Sequence, residues 1–158
     1  MRIFVTVGTQ LPFDRLISAI DDWASHGQAD VFAQTGASSL RPKHISWKDF
    51  IGNGEANERL RTADLVVAHA GMGTILTRLE AGRPMIVMPR LATLGEHRND
   101  HQVATARRLS HLPGLQVADD EDDLRGQLNA FEPCTVTQRV SPVASPALIT
   151  AIREFVSP

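Results

Sequence analysis

The sequence has one cysteine, Cys134, in 158 residues, so no internal disulfide can form. The N-terminus also carries no signal-peptide pattern, and a reducing, cytosolic compartment is expected. No basic neighbour in sequence suggests thiolate activation at Cys134, which reads as a small semi-buried residue. Missing too is any apolar run near the ~20 residues of a membrane-spanning helix, so membrane contact is expected only through a surface or a partner. No charge of one sign dominates. Sixteen Lys and Arg against eighteen Asp and Glu leave a net charge of −2 and a pI near 6.3, and no nucleic-acid partner is expected. The Walker pattern is absent. The first turn, VTVGTQLPF, lacks GxGxxG, and no acidic residue follows the second strand where a ribose contact belongs, which disfavours a dinucleotide dehydrogenase.

What is present is an ordinary globular composition, 42% hydrophobic and 22% charged, at a length that suits one domain over residues 1–158. Short β-branched runs alternate with helical periods. Strands are expected over Arg2–Val7, Asp30–Gln34, Leu65–Ala68 and from Pro84 through MIVMP, with weaker ones over Lys43–Phe50 and Gly114–Ala118. Helices are expected from Pro12 to Ala24, over Asn57–Arg61, from Met72 to a stop at Gly82, and over Asn99–Leu112 and Glu121–Leu128. An irregular Pro-containing tail is expected from about residue 132, ending in a helix over Pro146–Val156. The continuous apolar character of LVVA and MIVM fits strands covered on both faces. The expected fold class is α/β, a single Rossmann-like parallel sheet.

The chemistry concentrates between Asp64 and Gln102. In open parallel sheets ligands sit beyond the carboxyl ends of the strands, and three such ends carry special residues: Gly8-Thr9, His69 to Thr74, and Arg90 onward. Gly71 and Gly73, with Met72 between them, flank a helix start whose unpartnered N–H groups attract phosphate oxygens, and Thr74 adds a hydroxyl. The same glycines also suit a tight strand-to-helix turn with no ligand. His69 stands directly before that turn, where it either meets an anion or is a satisfied polar residue at a strand end. Thr77 lies one helical turn further on, within reach of a ligand or simply exposed.

In LGEHRNDHQ, His101 and Gln102 supply donors and acceptors suited to sugar hydroxyls, and Asn99 suits a helix cap. A solvated loop with a cap is the plainer alternative. Zinc at His97 and His101 is disfavoured, because a metalloprotease helix needs Glu directly after the first His, where Arg98 stands; no metal site is expected. Arg90 and Arg98 flank the loop and could pair with a sugar carboxylate or remain solvated. Asp14 reads as a helix-start carboxylate rather than a base. Trp47 and Phe50 read as core residues more than as borders for a base ring.

HAGMGTILTRLEAGRPMIVMPR followed by GEHRNDHQVATA resembles the C-terminal domain of family 28 glycosyltransferases. IFVTVGTQLPFDRLI resembles the N-terminus of its freestanding members, the PssE-type subunits of bacterial exopolysaccharide synthesis. These are similar to the catalytic subunit of the eukaryotic two-subunit transferase that adds the second N-acetylglucosamine to dolichol-linked precursor. The resemblance implies the C-terminal, donor-binding half of a GT-B enzyme, with a UDP-sugar of the glucuronate or N-acetylglucosamine type as substrate and no cofactor. By position, Gly71, Gly73 and Thr74 would hold the diphosphate with His69 beside it. His101 and Gln102 would reach the sugar, with Arg98 nearby, and Gly8 and Thr9 would line the cleft. Larger relatives have an acidic residue at the position of Thr77, where a carboxylate accepts both ribose hydroxyls. The acceptor half would be a membrane-associated PssD-type subunit presenting a lipid-linked saccharide at the cytoplasmic face. No general base is assigned. A non-catalytic module that assembles or regulates a membrane glycosylation complex is the alternative.

Overall fold

The computed structural model describes residues 1–27 and 29–133. Cys134, the expected tail and its helix lie outside the described residues. The elements run β1 (Arg2–Thr6), α1 (Asp14–Ala24), β2 (Asp30–Gln34), β3 (Ser46–Lys48), α2 (Asn53–Thr62), β4 (Leu65–His69), α3 (Met72–Glu80), β5 (Met85–Met88), a 3-10 turn at Ala92–Leu94, α4 (His101–Leu109), β6 (Leu115–Val117) and α5 (Glu121–Ala130). They build one six-stranded sheet in the order β3-β2-β1-β4-β5-β6, with every pair parallel.

Alternation along β1 divides its side chains between two cores. Ile3, Val5 and Val7 join Leu16, Ile17 and Ile20 of α1 and Leu124 and Leu128 of α5 on one face. Phe4 joins Leu60 of α2, Ile75 and Leu79 of α3 and Ala106 of α4 on the other. With helices on both faces, β4 and β5 need no polar side, which is why LVVA and MIVM are fully buried. Truncating one of the central side chains, such as Ile17→Ala, is expected to cost about 2–5 kcal/mol.

Several boundaries differ from the sequence expectation, three of them with a visible local cause. The weak strand over 43–50 shortens to Ser46–Lys48, because the Asp21 carboxylate accepts hydrogen bonds from the backbone N–H groups of Lys43 and His44 and takes them out of the ladder. The short helix at 57–61 is a full α2; it buries only Leu60, so its apolar period is almost silent, while Arg59 lies 3.6 Å over the Phe32 ring. Asn99 stays outside α4 and accepts from the His101 N–H at 3.3 Å. Among the described residues no helix is long and apolar enough to cross a membrane.

Candidate functional site

The strand order places the topological switch at β1, whose neighbours are β2 on one side and β4 on the other. A crevice opens beyond the carboxyl ends of such strands. Here it is an open cleft of about 700 Å³, lined from β1 and its following loop by Thr6 and Gly8 to Leu11, from β4 and α3 by His69, Gly71, Gly73, Thr74 and Thr77, and from the β5–α4 segment by Arg90, His97, His101 and Gln102. Gln34 and α2, through Asn53 and Asn57, close the remaining side.

The β4–α3 corner is built around His69. The imidazole fits between two backbones: a Cβ at Gly8 would lie 2.8 Å from its Cε1, and one at Gly71 would lie 2.3 Å from its Nε2. Gly8 also has φ +75°, a conformation that costs an L side chain strain. Gly71 is therefore required by the histidine ring as well as by any ligand. Gly73 is different. Among the described residues nothing lies within 4 Å of a Cβ built there, so its missing side chain leaves open space at the helix start. Burial above all, and then the Arg90 cation, lower the His69 pKa to about 4, against a weaker opposing pull from the Thr6 backbone. Among the described residues the buried Nδ1 has no hydrogen-bond partner. His69 is thus a neutral imidazole at pH 7.

Helix α3 begins without a side-chain cap. Its first bonded amide is Ile75, which donates to the Gly71 carbonyl, so the N–H groups of Met72, Gly73 and Thr74 have no intrahelical acceptor and sit at the positive end of the helix dipole. Thr77 borders this opening, but its hydroxyl proton is already donated to the Gly73 carbonyl at 2.9 Å, leaving only acceptor capacity.

The opposite wall comes from the β5–α4 segment. Arg90 is 3% exposed, and its guanidinium donates to the carbonyls of Val7 at 2.7 Å and Leu11 at 2.6 Å, while its buried Nε has no partner among the described residues. Burial holds its pKa below the ordinary value, with Glu96 opposing. The buried Gln102 accepts the Arg90 backbone N–H through Oε1 at 3.2 Å, which turns its amide N–H₂ free for another acceptor. His101 Nδ1 lies 2.5 Å from Asn99 Oδ1, an amide oxygen that can only accept, so this bond needs a proton on Nδ1. His97 packs edge-on to His101 with centroids 4.4 Å apart. Partial burial, then His101, Arg90 and Arg98, hold His97 below the usual imidazole range.

Nine of the residues expected at a site from sequence line this one cleft: Gly8, Thr9, His69, Gly71, Gly73, Thr74, Thr77, His101 and Gln102. Two do not. Arg98 lies exposed on the loop outside the lining, and the Met72 side chain is 47% exposed, so only its backbone belongs to the helix opening. Arg90 is neither a solvated loop charge nor a free partner for a carboxylate, because two backbone carbonyls already hold it. Phe50 is 53% exposed and lies neither in the core nor in the cleft, whereas Trp47 packs against the core. Asp14 accepts from the Ser38 hydroxyl and braces the start of α1. The sequence reading missed Gln10, Gln34, Asn53, Asn57 and His97 as lining. Gln34 ends a strand beside Gly8, and that position was the one signal available.

A 3-2-1-4-5-6 parallel sheet with an uncapped helix start at its switch point defines an open Rossmann-like domain. Within that class the chain belongs to the glycosyltransferase family 28 C-terminal domain, whose family model matches residues 2–130. It is 32% identical over 119 residues to the UDP-N-acetylglucosamine transferase subunit ALG13 of Mus musculus, a match covering 68% of this chain and 10% of that protein. The chain thus spans about a tenth of the mouse and human relatives' length. The solution structure of ALG13 superposes with a TM-score of 0.59 at 18% identity, covering 96% of this chain and 94% of that one. A UDP-glucose:anthocyanidin 3-O-glucosyltransferase in complex with UDP superposes at 0.62 and 16% identity, over 87% of this chain and 31% of the larger protein. The fold is that of one half of a GT-B glycosyltransferase.

Proposed function

We propose that this chain is the donor-binding subunit of a split, inverting glycosyltransferase. It would take the sugar of a UDP-sugar, of the glucuronate or N-acetylglucosamine type, to a lipid-linked saccharide acceptor in exopolysaccharide or glycolipid synthesis. One observation carries the reading: among the described residues the cleft lining holds one buried cation, three histidines, three free helix-start amides and no carboxylate. Such a lining favours a diphosphate and offers nothing to repel it.

The diphosphate sits at the N–H groups of Met72, Gly73 and Thr74, with neutral His69 beside it, and the sugar reaches His101 and Gln102. As the acceptor hydroxyl attacks the anomeric carbon, the bond to UDP breaks and the helix start stabilises the departing negative charge. The lining contains no carboxylate base, so the proton of the acceptor hydroxyl goes to a group on the partner or to an imidazole. That partner is a membrane-associated subunit of the PssD type, which recruits the chain to the cytoplasmic face and supplies the acceptor wall. Support comes from the match to a protein whose name describes a transferase subunit.

Calorimetry with UDP, UDP-glucuronate and UDP-N-acetylglucosamine, with the chain alone and with the co-expressed partner, tests this. Binding in the micromolar to millimolar range is expected; none at millimolar ligand in either preparation would remove the donor role. A second reading, a non-catalytic assembly module, is favoured by Thr77, whose single hydroxyl is turned onto the Gly73 carbonyl and accepts two ribose hydroxyls less well than a carboxylate.

A further inference from the structure

Two loops make one wall of the cleft, residues 8–11 after β1 and residues 89–98 after β5, and each is held by an arginine that belongs to the other's side of the chain. Arg15, on α1 directly after the first loop, donates from Nε and Nη2 to both oxygens of Glu96, at 2.7 and 2.9 Å, and from Nη2 to the Pro89 carbonyl at 3.2 Å. Arg90, in the second loop, donates back to the carbonyls of Val7 and Leu11 that bracket the first. The two guanidinium carbons lie 5.3 and 5.0 Å from the centroid of one ring, Phe13. Glu96 then closes its own loop: its Oε2 accepts the Leu91 N–H at 2.9 Å and its N–H donates to the Leu91 carbonyl at 3.2 Å. The Arg15 and Glu96 side chains are each 12% exposed, so the fork is shielded from water in a way that surface pairs are not.

We propose that Arg15, Phe13, Arg90 and Glu96 form a crossed staple that fixes the separation of the two loops, and that Arg15 and Glu96 are thereby positioning residues for the sugar end of the donor. The second half rests on the donor-binding reading above. Neither Arg15 nor Glu96 lines the cleft. They act through His97, the neighbour of Glu96, and through the Gly8 to Leu11 loop. Among the described residues the phosphate end at α3 has no hydrogen bond to the staple. Nucleotide and nucleotide-sugar binding should therefore separate when the staple is cut.

The test uses Glu96→Ala, with Arg15→Lys as a second variant should the first fold poorly. Hydrogen exchange in the ligand-free chain is expected to quicken by about tenfold in residues 90–98 and also in residues 8–11, to which Glu96 makes no hydrogen bond among the described residues. Acceleration confined to 90–98 would overturn the crossed coupling, whatever the ligand proves to be. In calorimetry the variant should lose about tenfold in UDP-sugar affinity and less than about twofold in UDP affinity, since displacing the loop misplaces the sugar contacts while the helix-start amides of α3 stay in place. Equal loss of both ligands, or loss of neither, would overturn the positioning role. A wild-type chain that binds neither nucleotide refutes the donor reading, while the exchange result still decides the staple.

Discussion

Arg78 and Arg90 are both buried arginines without a carboxylate partner, yet they sit in regions of opposite character. Arg78, fully buried under α3, donates to the carbonyls of Pro84, Leu60, Ala63 and Asp64 at 2.7–3.1 Å, and burial lowers its pKa to about 10, still a cation at pH 7. Arg90 bonds two carbonyls and leaves its buried Nε unpartnered. Around Arg78 the polar accounting is closed. At the carboxyl edge it is open: three of the four buried side-chain atoms without partners among the described residues, on His69, Arg90 and His97, belong to the cleft. Folding needs satisfied polar groups, so the places where satisfaction is withheld are where a ligand is expected to supply it.

The largest effect should come from the closed region. Arg78→Met removes the donors that the carbonyls of Leu60, Ala63, Asp64 and Pro84 share and is expected to cost about 3–5 kcal/mol of stability in chemical denaturation. Arg90→Met should cost less stability and more ligand affinity. If the two variants lose stability equally and Arg90→Met still binds UDP-sugar normally, the contrast fails.

A pH titration of stability sharpens the open side next. The folded pKa of His69, about 4, lies below the ~6.5 of an unfolded histidine. Its neutral burial therefore contributes stability in full above pH 6.5, and the contribution is lost as pH falls from about 6.5 to about 4. The span corresponds to about 3 kcal/mol. His69→Asn should flatten that limb; an unchanged slope would show that the ring does not titrate this way.

Gly73→Asp comes third. No protein atom crowds a side chain at this position, so the melting temperature should hold while the added carboxylate repels a diphosphate, with nucleotide affinity expected to fall by about 100-fold. Retained affinity would move the phosphate site away from α3. Thr77→Glu is the smallest expected change, a gain of a few-fold in UDP affinity as a carboxylate takes over ribose recognition, read by calorimetry. A loss would show that the Thr77 bond to Gly73 holds the helix start open.

The amino-acid sequence by itself determined the sheet and the address of the site. Buried parallel strands need unbroken apolar runs, and β1, β4 and β5 display them; helix α3 declares its start by Gly71 and its stop by Gly82, whose φ is +63°. Nine expected residues met in one cleft because a parallel sheet delivers every strand's carboxyl end to the same edge. What only the tertiary structure decided was which polar groups remain free there. Sequence shows that Thr77, Arg90 and Arg98 have suitable chemistry, but not that Gly73 takes the first, that Val7 and Leu11 take the second, or that the third stands outside. It cannot show that Gly71 makes room for His69, or that Arg15 reaches Glu96 across 81 positions. Periodicity reports which face of an element is buried, whereas hydrogen-bond satisfaction depends on partners far apart in the chain.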